Sequence, residues 1–249
     1  MNAGTFKPIG TIAKRELSGY FASPVAFVFI VIFLLLSGFF TFMVAGFFER
    51  GQANLETFFQ WHPWLYLFLV PAVGMRMWSE ERRLGTIELL LTMPVTPWQA
   101  IVGKFLAAWA VVGLALALTF PVWITVNYLG HPDNGVILAS YLGSFLMAGA
   151  YLAIGSAISA ATSNQVIAFV VSVVVCFLFT AAGAPLVTET LSGWAPLPLV
   201  EAVASFSFTT HFQAITDGVI DVRDVIFFFS LIGLFLFANV TLVETGKGG

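Results

Sequence analysis

The chain alternates long apolar runs with short polar breaks, and the runs set the elements. Charge-free stretches extend from Leu17 to Phe48, Thr57 to Met75, Phe105 to Pro132, Asn134 to Thr188 and Val225 to Val243. A helix rises about 1.5 Å per residue, so roughly 20 apolar residues cross a hydrocarbon core of about 30 Å. The fourth stretch is long enough for two crossings, and its one polar break, Thr162-Ser163-Asn164-Gln165, predicts a helical hairpin. The pattern therefore predicts spans near 24–47, 61–78, 105–128, 137–160, 166–187 and 225–243. These runs are continuously apolar rather than alternating, which excludes a closed β-barrel.

The segments between the runs carry patterns of their own. Ile9, Ile12, Ala13, Leu17, Tyr20 and Phe21 fall on one helical face, with Lys7, Thr11, Lys14, Arg15 and Ser18 on the other. That is an interfacial helix whose basic face suits anionic headgroups, ended by Ser23-Pro24. An ordinary basic leader before a first span is the plainer alternative. Residues 79–103 form the one sizeable segment between the second and third spans. Its charges sit at Glu80, Glu81, Arg82, Arg83 and Glu88, followed by a ridge of Leu89, Leu90 and Leu91 that Pro94 ends. Two readings stand for it: a short surface helix that docks a partner, or a solvated loop whose arginines enforce topology. Thr96, Pro97 and Gln99 then spell a capping box that starts a new helix. The 188–224 segment is too long for a tight turn, and Trp194, Phe206, Phe208 and Phe212 are too apolar for a solvated loop. One or two short helices dipping back toward the membrane are expected there. Asp217-Gly218 reads as a helix stop, and Asp221 or Asp224 as the cap of the last span.

Composition agrees with this all-α integral membrane protein of six transmembrane helices. Of 249 residues, 59% are hydrophobic and only 9% charged, against about a quarter in soluble domains. Lys and Arg place the ends: with the N-terminus inside, Arg50 and Arg223 alone fall outside, and the other eight of the ten basic residues are cytoplasmic. A net charge of −3 with no clustered basic face excludes a nucleic-acid partner. The single cysteine, Cys176, lies in an apolar run and reads as packing.

Few residues suggest chemistry. His62, His131 and His211 lie on three separate segments without metal-ligand spacing. Small residues four apart, Ala153, Ala157 and Ala161 beside Gly155, Ser159 and Ser163, favour close helix packing, and Pro71 and Pro121 are candidate kinks. An ionised residue at mid-bilayer costs about 2.5–3.5 kcal/mol, and the predicted span interiors carry none. A proton-coupled transporter is thereby disfavoured, and a lipid-like or weakly solvated substrate fits better.

The stretch Glu81 to Val95, E-R-R-L-G-T-I-E-L-L-L-T-M-P-V, followed by Gly103-Lys104, resembles the signature of type-2 ABC transporter permeases. Ala13 to Leu17 resembles that family's elbow helix, and Phe206 to Phe212 with Gly218 to Val225 its last external loop. The likeness is greatest to the branch of the gliding-motility permease and the nitrous-oxide-reductase maturation permease, which lack large soluble inserts. It implies one permease domain over residues 1–249: an elbow helix in 1–23, a cytoplasmic coupling helix in 79–103 and re-entrant external helices in 188–224. ATPase coupling would fall to Glu80, Glu81, Arg82, Arg83, Gly85, Thr86, Glu88, Leu90 and Pro94. Lys14, Arg15 and Glu16 would belong to the elbow, and Phe206, Phe208, His211 and Phe212 to an external gate.

No G-x-x-x-x-G-K-[ST] phosphate loop occurs, so the chain is expected to be no enzyme and to bind no cofactor directly. ATP and Mg would be used by a separate cytoplasmic ABC ATPase subunit. The resemblance also implies a second permease half, either another copy or a paralogue, in a bacterial cytoplasmic (inner) membrane. Export is the expected function. The alternative is an assembly or maturation factor that uses such an ATPase on a periplasmic client. An intramembrane enzyme would need convergent catalytic groups at membrane depth, which the sequence does not supply.

Overall fold

The computed structural model describes residues 3–87, 95–218 and 221–245, and among them the ordered elements are all helical. Helix α1 (Ala3–Ala22) ends at Ser23, which is extended, and Pro24 opens α2 (Pro24–Phe39), which runs into a π-helical turn at Phe40–Val44. A short α3 (Glu56–Phe59) precedes α4 (His62–Gly74) and α5 (Arg76–Leu84). Next come α6 (Pro97–Ala117), α7 (Phe120–Leu129), α8 (Asn134–Ala161) and α9 (Gln165–Ala181). Three short helices, α10 (Pro185–Ser192), α11 (Leu197–Ala204) and α12 (Phe208–Thr216), lead to α13 (Val222–Thr245).

Among the described residues, four helical stretches are long and apolar enough to cross a bilayer: Pro24–Val44, Pro97–Leu129, Asn134–Ala161 and Val222–Thr245. A fifth would be α9 with α10, a pair bent by 69°. This is a multi-pass membrane architecture, and it departs from the expected spans in two places. The fifth run, expected as one helix over 166–187, is broken before Pro185, because a proline ring cannot extend the preceding helix without clash. The second, expected over 61–78, stops as α4 after 13 residues, about 20 Å. It reaches crossing length only together with α5.

The interruption after α4 has a specific cause. The Ser159 hydroxyl, from α8, accepts from the amides of Trp78 and Ser79 at 3.1 and 3.0 Å and donates to the Met75 carbonyl at 2.7 Å. A side chain inserted in this way into the i→i−4 ladder interrupts a helix. Pro71 lies one turn earlier and accepts from Met75 N–H, so the break is not at the proline.

Helix α8 is the centre of the bundle and packs on α4, α5, α6, α9, α12 and α13. Its run of small residues, including the fully buried Ala148, Ala150 and Ala153, lets neighbours close in on all sides. The outward faces are apolar instead: Leu35, Met43, Leu178 and Phe237 are each more than half exposed. Such a band suits lipid and would be a liability in water.

Both ends of the chain meet the same end of the bundle. Glu16 of α1 and Glu81 of α5 share Lys104, and Arg82 donates to the Leu242 carbonyl near the end of α13 at 2.9 Å.

Candidate functional site

The site is assembled at that end, from three helices. Helix α6 starts where the sequence predicts, at a reciprocal box in which Gln99 N–H donates to Thr96 Oγ1 and Thr96 N–H to Gln99 Oε1. Two turns on, α1 crosses it at Gly103. A Cβ there would stand 2.8 Å from Ile12 Cγ2, so only glycine permits the approach. Ile12 is buried while Lys14, Arg15 and Ser18 face outward, as the amphipathic pattern of α1 requires.

Lys104, beside that crossing, is buried and meets two carboxylates. Its Nζ lies 2.7 Å from Glu81 Oε1 and 3.3 Å from Glu16 Oε2, and 5.3 Å from the Trp78 ring centroid. A buried ammonium is stable only when its charge is matched, and here one cation meets two acids and an aromatic face. Arg15 shares the Glu16 carboxylate at 2.9 Å, and Arg76 binds Glu80 at 3.0 Å one turn along α5. Glu81 Oε2 is buried and has no hydrogen-bond partner among the described residues. Glu16, Arg76, Glu80, Glu81 and Lys104 line a cavity of about 240 Å³, together with Gly19, Tyr20, Ser23, Val25 and Met77. Burial, reinforced by Glu16 and opposed by Arg76, holds the Tyr20 phenol well above its usual range, so it stays neutral.

Helix α5 ends abruptly beyond this network. Gly85 takes φ +70°, its amide donates to the Arg82 carbonyl, and Thr86 N–H donates to the Glu81 carbonyl at 3.0 Å. This is the paired 5→2 and 6→1 closure that favours glycine at the left-handed position. Glu80, Glu81, Arg82 and Arg83 thus belong to α5, and the chain turns at Gly85 and Thr86. Glu88, Leu90 and Pro94 lie outside the described residues.

A second cluster lies at the opposite end. His211 Nδ1 is 2.6 Å from Asp224 Oδ1 and its Nε2 2.8 Å from the Ser205 carbonyl, and its ring stacks on Phe227 at 3.9 Å. The carbonyl can only accept, so Nε2 carries a proton. This ties the start of α12 to the end of α11 and the first turn of α13. Phe208 and Phe212 are buried, Phe208 against Tyr151, Phe179, Phe227 and Phe228. Phe208, His211 and Phe212 lie on α12, and Phe206, 57% exposed, precedes it.

The family described as ABC-2 family transporter protein matches residues 56–243, well over half of the sequence. The chain belongs to this ABC-2 transporter family. It is a membrane-embedded permease, and the family implies a permease subunit working with an ABC ATPase. No curated protein matches the chain.

In this permease the residues assigned separately to the elbow and to coupling come together through Lys104, which the sequence marked only as a basic residue in the Gly103-Lys104 pair. Glu16 and Glu81 meet there, Lys14 faces outward, and Arg15 touches the network from its rim. Arg76, Tyr20 and Ser159 were not legible as site residues. Nothing local marks Ser159, whose partners are about 80 positions away in sequence. Asp224 was read as one of two alternative caps. Asp221 takes the cap, accepting from Arg223 N–H at 2.9 Å, and Asp224 is free to hold His211.

Proposed function

We propose that this chain is the membrane-spanning half of an ATP-driven exporter, gripped by a separate cytoplasmic ATPase where α5 ends. The observation that carries the reading is the buried Lys104, which ties α5 to α1 and α6 by ion pairs to Glu81 and Glu16. A push on the end of α5 is then delivered to the interfacial helix and to a crossing helix together. Leu84, 63% exposed among charged neighbours beside the turn at Gly85, supports a protein contact there. The ATPase supplies the nucleotide site and its Mg.

On this reading α4 and α5 form one crossing, which makes six, and both termini are in the cytoplasm. The eight-to-two distribution of Lys and Arg supports that orientation. A second permease half, another copy or a paralogue, completes the pathway in the inner membrane. The branch of the gliding-motility and nitrous-oxide-reductase maturation permeases fits a chain without a large soluble insert. The cargo is a weakly solvated molecule, in keeping with the apolar span interiors.

A second reading, assembly of a periplasmic client, draws on α10 and α11, where Leu186, Trp194 and Leu197 are each at least 67% exposed. Liposomes holding the permease with its ATPase separate the two. Hydrolysis stimulated by a solute supports export, and stimulation by a client protein alone supports assembly. The coupling proposal itself is tested by copurification. Leu84→Asp and Gly85→Val should reach the membrane at wild-type levels and lose ATPase; retention of ATPase by both contradicts it.

A further inference from the structure

The cavity between α1, α2 and α5 has a composition that the ion network alone does not account for. Its wall carries Glu16, Glu80 and Glu81 with Arg76 and Lys104, and Arg15 pairs with Glu16 from the rim. Lys104 is shared by Glu16 and Glu81, yet Glu81 Oε2 remains buried and unpaired among the described residues. A buried carboxylate oxygen without a donor is costly, and the carboxylate of Glu80 beside it, 33% exposed, is the one that a cationic donor in the cavity can reach. Arg76 and Glu80 stand at the rim, 37% and 33% exposed, so one positive and one negative group face the opening side by side.

The mouth of the cavity has an apolar continuation. Val25 lines it, and Val28, Ile32 and Leu35 follow at helical spacing on α2, 53%, 38% and 66% exposed. A ligand with a zwitterionic end and a hydrocarbon end would occupy both. We infer that this cavity binds the headgroup of an amine-bearing zwitterionic phospholipid of the phosphatidylethanolamine kind, its ammonium toward Glu80 and Glu81 and its phosphate toward Arg76. Its acyl chains lie along Val28, Ile32 and Leu35. An ammonium brings three N–H donors where a trimethylated amine brings none, and a phosphoglycerol headgroup brings no cation at all. The inference rests on α1 lying at the membrane surface, and the lipid would wedge α1 against α5 beside Lys104.

The test is native mass spectrometry of the full-length permease with its ATPase, released from bilayers of equal phosphatidylethanolamine, phosphatidylcholine and phosphatidylglycerol. One ethanolamine lipid per chain should be retained in preference to the other two. Gly19 lines the cavity, and a Cβ built on it meets nothing within 4 Å, so Gly19→Phe fills the space and leaves every charge in place. It should lower ethanolamine-lipid retention about tenfold, equivalent to about 1.4 kcal/mol. Arg76→Gln, which keeps the cavity open but removes the phosphate contact, should also lower ethanolamine-lipid retention. Equal retention of all three lipids by the wild type, or wild-type retention by Gly19→Phe, overturns the site. ATPase content is read from the same spectra, so lipid lost with the ATPase still bound separates this site from the coupling proposal.

Discussion

Ser159 Oγ donates to the Met75 carbonyl at 2.7 Å from a helix 84 positions away in the chain, and takes the amides of Trp78 and Ser79 in exchange. The helix that leads to the proposed ATPase contact is thus interrupted by one hydroxyl of the central helix. Ser159→Ala removes that hydroxyl from a fully buried position. Unpaired buried amides cost about 1–3 kcal/mol, so the variant should melt several degrees lower in detergent. If it melts at the wild-type temperature, the ladder has closed on itself and the interruption is not held by Ser159.

Lys104 and its two acids should behave as a unit. Lys104→Met leaves Glu81 without a cation beside Glu16, which keeps only Arg15. Because both carboxylates are more than a fifth exposed, water offsets part of the penalty, and roughly 1–3 kcal/mol is expected. Adding Glu81→Gln to Lys104→Met should recover part of the loss, as coupled neighbours do. Additive losses in a double-mutant cycle on thermal stability would show that the pair does not interact.

The His211 contacts hold α12 to the helices on either side of it. His211→Ala deletes both bonds and leaves Asp224 with no imidazole partner in a site only 6% exposed. Deuterium uptake should rise over residues 205–216 and stay low in α8. Uniform uptake across the bundle, or none at 205–216, would deny α12 an independent hinge.

What was legible in the sequence was whatever is decided locally. The Thr96–Gln99 box, the stop at Asp217-Gly218 and the amphipathic α1 depend on residues within a turn or two of each other, and each is present. The break at Met75 and the meeting of Glu16 with Glu81 depend on residues about 65–85 positions apart, and periodicity carries no such information. The 188–224 segment was read as one or two short helices; α11 and α12 lie in it, and α10 enters it from Pro185, because the apolar run through residue 187 hides the turn before that proline.

Orientation is checked by labelling. Single cysteines at Gln52 and Thr190, in a background with Cys176→Ser, should react with an impermeant thiol reagent on intact cells. Those at Arg83 and Thr245 should react only after lysis; all four positions are exposed, so access through the membrane is the one variable. Labelling of Arg83 and not Gln52 reverses the topology.

The central claim is that the chain meets its ATPase where α5 ends, and site-specific crosslinking in intact membranes tests it most directly. A photoreactive residue at Leu84 or Thr86, both exposed at the turn, should trap a polypeptide that contains a phosphate-binding loop. The same residue at Thr190, at the opposite end of the bundle, should not. Capture of that ATPase from Thr190, or from neither Leu84 nor Thr86, would contradict the account.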